Sequence, residues 1–312
     1  MVSRITLVRA PNPSAMTLSG TNSYLVDVGN GEGIVIDPGP AIMRHIDALI
    51  GTARERDLRI VAILLTHGHP DHAPAATLLA QRTRAPVYAH PQSEAPHDRN
   101  FDLDATLHIA DAPFFVMDAP GHTFEHVALY DPRERALFTG DVILGEGTVV
   151  IAPPGGAMRP YQHTLARLRD EFPQARYIYG GHGERVDDAQ AKITEYIAHR
   201  ELRQRELLNA LADGPKTIPE LVMDIYGVGK QILWPAMARQ MLAYLMALED
   251  EGVVSARRIE RPMTHEEIVI LNPAWETIVG REQAEVIEAE LGAMHKLDRL
   301  YEYRLRPSTS SG

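Results

Sequence analysis

The segment Leu64-Leu65-Thr66-His67-Gly68-His69-Pro70-Asp71-His72 places three imidazoles and one carboxylate within six residues, at the end of an apolar run. Neutral imidazole and carboxylate suit zinc and its first-row neighbours. The spacing lets His67 and His69 turn one way while Asp71 and His72 face a second ion, which argues for a two-metal site. Three later stretches repeat the form of an apolar run followed by a polar residue among glycines. They are Ala119-Pro120-Gly121-His122-Thr123, Phe138-Thr139-Gly140-Asp141 and Tyr179-Gly180-Gly181-His182-Gly183. Glycine lets a backbone turn sharply beside a crowded centre. In order, His67, His69, Asp71, His72, His122, Asp141 and His182 make a set of seven candidate ligands.

Composition excludes several other chemistries. The 312 residues contain 14 histidines and no cysteine, so disulfides, iron–sulfur clusters, thiolate metal sites and a cysteine nucleophile are ruled out. Against 42 Asp and Glu stand 31 Lys and Arg, a net charge of −11. An acidic chain repels polyanions at long range, so contact with nucleic acid needs a local basic patch. Met1–Met16 lacks an apolar signal core. The longest apolar run, Ile60–Leu65, is far shorter than the roughly 20 residues of a membrane span. The expectation is a cytoplasmic protein with no membrane attachment.

The elements that carry these loops are short β-rich runs bounded by Gly, Pro, Asn or Asp. Strands are predicted over Arg4–Val8, Ser23–Val28, Gly33–Asp37, Arg59–Thr66, Val87–His90, Phe114–Met117, Val127–Tyr130, Ala136–Thr139 and Arg176–Tyr179. Helices are predicted over Ala41–Arg56, Pro74–Thr83 and Tyr161–Phe172. This mixture implies an α/β (α+β) catalytic domain over residues 1–185, layered around one core. From Asp187 the texture changes. Asp187–Leu211 reads as one long helix broken by Gly214-Pro215. Thr217-Ile218-Pro219-Glu220 is a capping box opening a helix to Tyr226, and Trp234–Glu251 is a third helix closed by Gly252. Strands are expected over Val253–Arg257 and Ile268–Leu271. Residues 186–261 therefore read as a connecting helix and a winged-helix domain. Residues 262–312 read as a strand/helix extension. Within it a helix over Arg281–Tyr301 suits core packing or a homodimer contact, and Arg306–Gly312 reads as a frayed tail.

The run His67-x-His69-x-Asp71-His72, followed by His122, Asp141 and His182, resembles the metallo-β-lactamase superfamily, an αβ/βα sandwich with a metal pair at the sheet edge. The resemblance implies His67, His69 and His122 on one metal, Asp71, His72 and His182 on the other, and Asp141 bridging them. Flavin-diiron relatives carry a carboxylate where His69 stands, so His69 favours a hydrolytic zinc site. A narrower resemblance, over residues 5–256, is to the β-lactamase-like protein 2 group. It is carried by Asn12-Pro13, Met16-Thr17-Leu18-x-Gly20-Thr21-Asn22-x-Tyr24-Leu25-Val26, Gly140-Asp141-x-Ile143-Leu144-Gly145-Glu146-Gly147-Thr148 and Tyr196-Ile197-x-His199-Arg200. That group includes a single-strand-selective endoribonuclease, and related fungal enzymes are thioesterases acting on carrier-bound polyketides. This chain departs from the pattern at Ala73-Pro74-Ala75, where the family has a small residue and two glycines. The segment Pro91–Asp111 is shorter than in the group, and the stretch beyond Pro262 lies outside the resemblance.

Two Zn2+ per chain, with Mn2+ or Fe2+ as alternatives, would deprotonate a bridging water for attack on a carbonyl or phosphorus, with Asp71 as the catalytic residue orienting it. Asp37 is either an acceptor fixing a ligand imidazole or a turn cap before Pro38-Gly39. Through the resemblance, Asn22 and Thr123 line the pocket. His199 and Arg200 form a basic face suited to a phosphate or carboxylate, or, with Glu201 and Glu206, an ordinary solvated helix face. His126 is expected behind the ligands or at the surface, and not among them. His45, His90, His97, His108, His163, His265 and His295 are expected at the surface or in turns. The favoured substrate is a small ester, thioester or lactone-like molecule. Single-stranded RNA ranks second because Leu211–Arg261 holds six basic against seven acidic residues, with no basic stripe. Incidental β-lactam hydrolysis and a non-catalytic metal-binding role are further alternatives.

Overall fold

The structure is a computed structural model that describes residues 3–228, 233–272 and 299–307. Six strands lie side by side in chain order. They are β1 (Ile5–Arg9), β2 (Asn22–Gly29), β3 (Glu32–Ile36), β4 (Arg59–Leu64), β5 (Val87–Ala89) and β6 (Arg99–Asn100). Pairing is antiparallel from β1 to β3 and parallel from β3 to β6. A second sheet holds β7 (Ala105–Ile109), β8 (Ala112–Asp118), β9 (Val127–Asp131), β10 (Ala136–Gly140) and β11 (Tyr177–Gly180), in the order β11-β10-β9-β8-β7.

The central strands read as nearly continuous apolar runs because both of their faces are covered. Side chains alternate along a strand. Val26, Ile34, Ile36 and Leu64 point into a core shared with Phe114, Val116, Leu129 and Phe138 of the second sheet. Leu25, Val35 and Ile63 point the other way, into a core that holds Ile46 and Leu49 of α1 (Met43–Glu55) and Leu79 of α2 (Ala75–Thr83). Each such side chain, fully buried, contributes roughly 1.5–3 kcal/mol. On the outer face of the second sheet, the rings of Phe115 and Tyr130 meet Phe172 at 5.6 and 4.9 Å. Phe172 directly follows α3 (Met158–Glu171). The metal-binding candidates occupy the loops that leave the ends of β4, β8, β10 and β11.

The chain divides into two compact units, Met1–Val149 with His163–Tyr196, and Val150–Gln162 with Ile197–Gly312. The division falls within α3 and within α4 (Ala189–Ala212). In the second unit the sequence pattern is realised closely in two helices, α5 (Ile218–Tyr226) and α6 (Trp234–Asp250). The capping box of α5 is formed, with the Glu220 N–H on the Thr217 hydroxyl and the Glu220 carboxylate on the Thr217 N–H. A three-stranded antiparallel sheet follows, in the order β12 (Lys216–Thr217), β14 (Tyr301–Leu305), β13 (Val254–Arg258). No helix among the described residues is long and apolar enough to cross a membrane.

Several expectations are corrected. Ile268–Leu271 is not a strand but the C-terminal part of α7 (His265–Leu271). A second capping box, Thr264 with Glu267, supplies the partners its first turn needs. Tyr301, expected to end a helix, opens β14; the rest of the Arg281–Tyr301 prediction lies mostly outside the described residues. Strands β6 and β7 fall in a segment where no strand was predicted. His45 is buried within α1, neither at the surface nor in a turn; His90 is buried too, but opens a turn in which its carbonyl accepts the Ser93 N–H at 2.9 Å. His45 Nε2 shares a 2.9 Å hydrogen bond with the Ser23 hydroxyl. His90 Nδ1 accepts the Gln92 N–H, and its Nε2 lies 3.5 Å from Asp118 Oδ1. His108, His163 and His265 are exposed, and His295 lies outside the described residues.

Candidate metal centre

All seven candidate ligands converge. His67, His69 and His122 each offer a ligand atom within 4.8 Å of the others, and Asp71, His72 and His182 form a second such group. In the first, His69 Nδ1 is 3.1 Å from His122 Nε2. In the second, Asp71 Oδ2 lies 3.3 Å from His72 Nε2 and 3.2 Å from His182 Nε2. Asp141 stands between the groups. Its Oδ2 is 3.7 Å from His122 Nε2 and 3.4 Å from His182 Nε2, and its Oδ1 is 3.4 Å from His72 Nε2.

The imidazole tautomers are set from behind. Asp37, just past β3, accepts the Thr66 N–H on Oδ1 and the Thr66 hydroxyl on Oδ2, both at 2.7 Å. The same Oδ2 accepts from His72 Nδ1 at 3.0 Å. With its proton given to Asp37, the Thr66 hydroxyl is left to accept from His67 Nδ1, 3.1 Å away. Both rings therefore point an Nδ1 hydrogen away from the cluster and turn Nε2 toward it. A buried nitrogen with no partner demands an explanation, and His67 Nε2 is one. A cation ligated there supplies it, so the donor set fits a metal ion. Asp37 is thus the acceptor behind the imidazoles, although it also falls within 4.8 Å of His67 and His72 in a third grouping.

Close packing leaves no room for side chains at two glycines. A Cβ on Gly181 would lie 2.3 Å from Asp141 Oδ1 and 2.6 Å from His72 Cε1. Gly140, at φ +45°, would put one 2.3 Å from the Thr66 hydroxyl.

Electrostatics separate the two groups. Burial, reinforced by the neighbouring imidazoles, holds His67 well below the usual histidine range. Burial opposes ionisation of Asp71 and Asp141 as well, but the imidazoles of His72 and His182 outweigh it and keep both carboxylates well below their usual range. Against its own burial, His182 is raised to about 10, chiefly by Asp141. Burial lowers His69 as well. His67 and His69 are thus neutral donors, whereas in the second group the ionised Asp71, with Asp141, keeps protons on the His72 and His182 imidazoles, where a cation would sit.

Hydrogen bonds from residues around the ligands hold these groups in place; of these residues Glu125 and Thr21 were not singled out as site residues in the sequence. His126 is fully buried, stacks on His67 at 4.7 Å and accepts the Asp141 N–H on Nε2 at 3.1 Å. Glu125 accepts the Gly68 N–H at 3.1 Å and the Thr123 hydroxyl, so it joins the loops after β4 and β8. Asn22 donates to the carbonyls of Gly180 and Gly183, bracing the His182 loop. Thr21 donates to Asp71 Oδ2. The signals for these contacts were faint, because apart from the Thr123–Glu125 pair the partners are distant in sequence. His199 and Arg200 belong to the second unit. Arg200 forms no exposed basic face; it is buried, with its guanidinium 4.9 Å above the Tyr161 ring.

Residues 16–182, more than half of the chain, match the family model for the metallo-beta-lactamase superfamily. The chain belongs to the metallo-beta-lactamase superfamily. A beta-lactamase-like protein 2 homolog of Caenorhabditis elegans is 30% identical over 265 residues, covering 82% of this chain and 88% of its own. An atrochrysone carboxyl ACP thioesterase of Aspergillus chevalieri is 32% identical over 256 residues, covering 77% and 80%. The crystal structure of a metallo-beta-lactamase family protein from Thermus thermophilus superposes with a TM-score of 0.66 at 25% identity, covering 81% of this chain and 96% of that one. This metallo-beta-lactamase-fold protein is a hydrolase, with His and Asp groups suited to metal.

Proposed function

We propose that this hydrolase binds two zinc ions per chain and cleaves a small acyl substrate, an ester, thioester or lactone-like molecule. His67, His69 and His122 would hold one ion, Asp71, His72 and His182 the other, with Asp141 shared. The observation that carries the two-ion reading is the position of Asp141, whose two oxygens face imidazoles of both groups at 3.4–3.7 Å. When bound, such ions supply Lewis acidity and acidify water. The chain's own residues do the rest. Asp37, directly and through Thr66, keeps the Nε2 lone pairs of His72 and His67 available, and His126 holds the Asp141 backbone. Asp71, kept ionised by its imidazole neighbours, is the acceptor that orients the attacking water.

An acyl substrate is supported by the thioesterase among the relatives and by the net charge of −11, which disfavours a polyanion. The winged-helix reading of α5, α6 and the small sheet belongs to the same proposal. The test combines elemental analysis after zinc loading with a parallel screen of acyl thioesters, lactones, single-stranded RNA and a chromogenic β-lactam. Two equivalents of zinc and thioester or lactone turnover that is lost in His69→Ala are expected. Less than one metal per chain would sink the two-ion reading, and turnover of RNA alone would replace the acyl substrate.

A further inference from the structure

The N-terminal motif Asn12 to Asn22 contains a contact that the ligand set leaves unexplained. We infer that Thr21, braced by Asn12, is the positioning residue that fixes the carboxylate of Asp71; the inference rests on the proposed role of Asp71 in the second metal group.

Thr21 is fully buried just before β2. Its hydroxyl oxygen lies 2.9 Å from Asp71 Oδ2 and 3.0 Å from Asn12 Nδ2. The direction of these bonds follows from the donors present. The Thr21 N–H donates to Asn12 Oδ1 at 3.0 Å, so Asn12 turns its amide nitrogen toward the Thr21 hydroxyl. An amide NH2 only donates, and it therefore takes an acceptor position on that oxygen. The one hydroxyl proton is left for Asp71. Asn12 is itself anchored, because its carbonyl accepts the hydroxyl of the buried Thr17.

The backbone of Thr21 does a second job. It bridges to His182, and the next residue, Asn22, donates its N–H to the Gly181 carbonyl at 2.7 Å. One residue thus ties Asp71 through its side chain and His182 through its main chain. Those are two of the three members of the second group, and Asp71 Oδ2 lies 3.2 Å from His182 Nε2. With Oδ2 bound to Thr21, rotation of the carboxylate is restrained and the same oxygen is held 3.2–3.3 Å from the imidazoles of His72 and His182. A bond from hydroxyl to carboxylate is charge-assisted and among the stronger kinds. Valine at position 21 keeps the shape and removes the donor; serine keeps the donor.

The experiment titrates Zn2+ into the metal-free full-length chain in competition with a chromophoric chelator. It compares wild type, Thr21→Val, Thr21→Ser and Asn12→Ala, with thermal melting of each metal-free chain alongside. His69→Ala and His182→Ala assign the binding steps to the two groups. In Thr21→Val, the step lost in His182→Ala should weaken about 10- to 100-fold, as expected when a partner behind a ligand is removed, while the other step is unchanged. Thr21→Ser should restore it, and Asn12→Ala should weaken the same step less. Wild-type affinity in Thr21→Val, or equal losses in the Val and Ser chains, would overturn the inference and leave the metal centre standing. If Thr21→Val does not fold, Asn12→Ala decides, an unchanged second step overturning the inference. A wild-type chain that takes up no zinc would overturn the metal centre and the inference with it.

Discussion

At the scale of single residues, Asp37 sets the chemistry of the site without facing it. One carboxylate accepts from Thr66 and His72, and through Thr66 it fixes His67. In Asp37→Asn, one accepting oxygen becomes a donor directed at donors, so zinc affinity should fall about 10- to 100-fold in chelator competition. Wild-type affinity would show that the tautomers are set elsewhere. Proton release offers a second check. Because Asp141, against the effect of burial, raises His182 to about 10, the metal-free second group carries protons at neutral pH. A cation must displace them, so zinc uptake should acidify a weakly buffered solution and affinity should fall as pH drops from about 8 to 6. Uptake without proton release, and an affinity flat across that range, would contradict this charge pattern. The seven candidate ligands were legible in the sequence because four lie within six residues and the others sit among glycines. Glu125, Thr21 and Thr66 were not, since what matters about each is a bond to an acceptor or donor elsewhere in the chain; for His126 the sequence left a place behind the ligands or at the surface open and gave no sign of its bond to the Asp141 N–H. Burial of His45 was equally hidden, as its partner Ser23 is 22 positions away.

At the scale of elements, strand ends and tight loops bring the donors together. Gly181 shows how little freedom remains, since a methyl there meets both Asp141 and His72. Gly181→Ala should bind zinc more weakly than wild type and melt at a lower temperature without metal; an unchanged affinity would mean that the loop yields. Strands β1 to β5 of the first sheet were readable because their apolar runs are bounded by turn residues, whereas the exposed Arg99-Asn100 of β6 left no such mark. The second unit was harder. Ile268-Val269-Ile270-Leu271 has the composition of a strand, and a short apolar run does not distinguish strand from helix. Here the Thr264–Glu267 capping box decided for the helix. Strand β14 alternates Tyr301, Tyr303 and Leu305 toward one face, yet its partner β13 lies more than 40 residues earlier, across Val254↔Leu305. Pairing at that distance is set by the packed unit and leaves no local mark.

At the scale of the whole molecule, a net charge of −11 acts on any charged substrate before contact is made. Salt screens such fields over about 8–10 Å at physiological ionic strength. For an anionic acyl thioester, kcat/KM should therefore rise as ionic strength increases from about 0.01 to 0.15 M, while a neutral lactone should show no change. A fall with salt for the anionic substrate would reveal a local cationic approach that outweighs the total charge.

The burial of the first sheet on both faces has a consequence for the order in which the molecule opens. Amides of β3 and β4 are paired on either side and capped by two apolar cores, so deuterium should reach them only when the whole unit unfolds. The two residues of β6, an exposed edge, should exchange by local fraying long before. The loop from Leu65 to Pro74 starts on the slowest strand of that sheet, so the metal donors it carries hang from the last part of the unit to come apart.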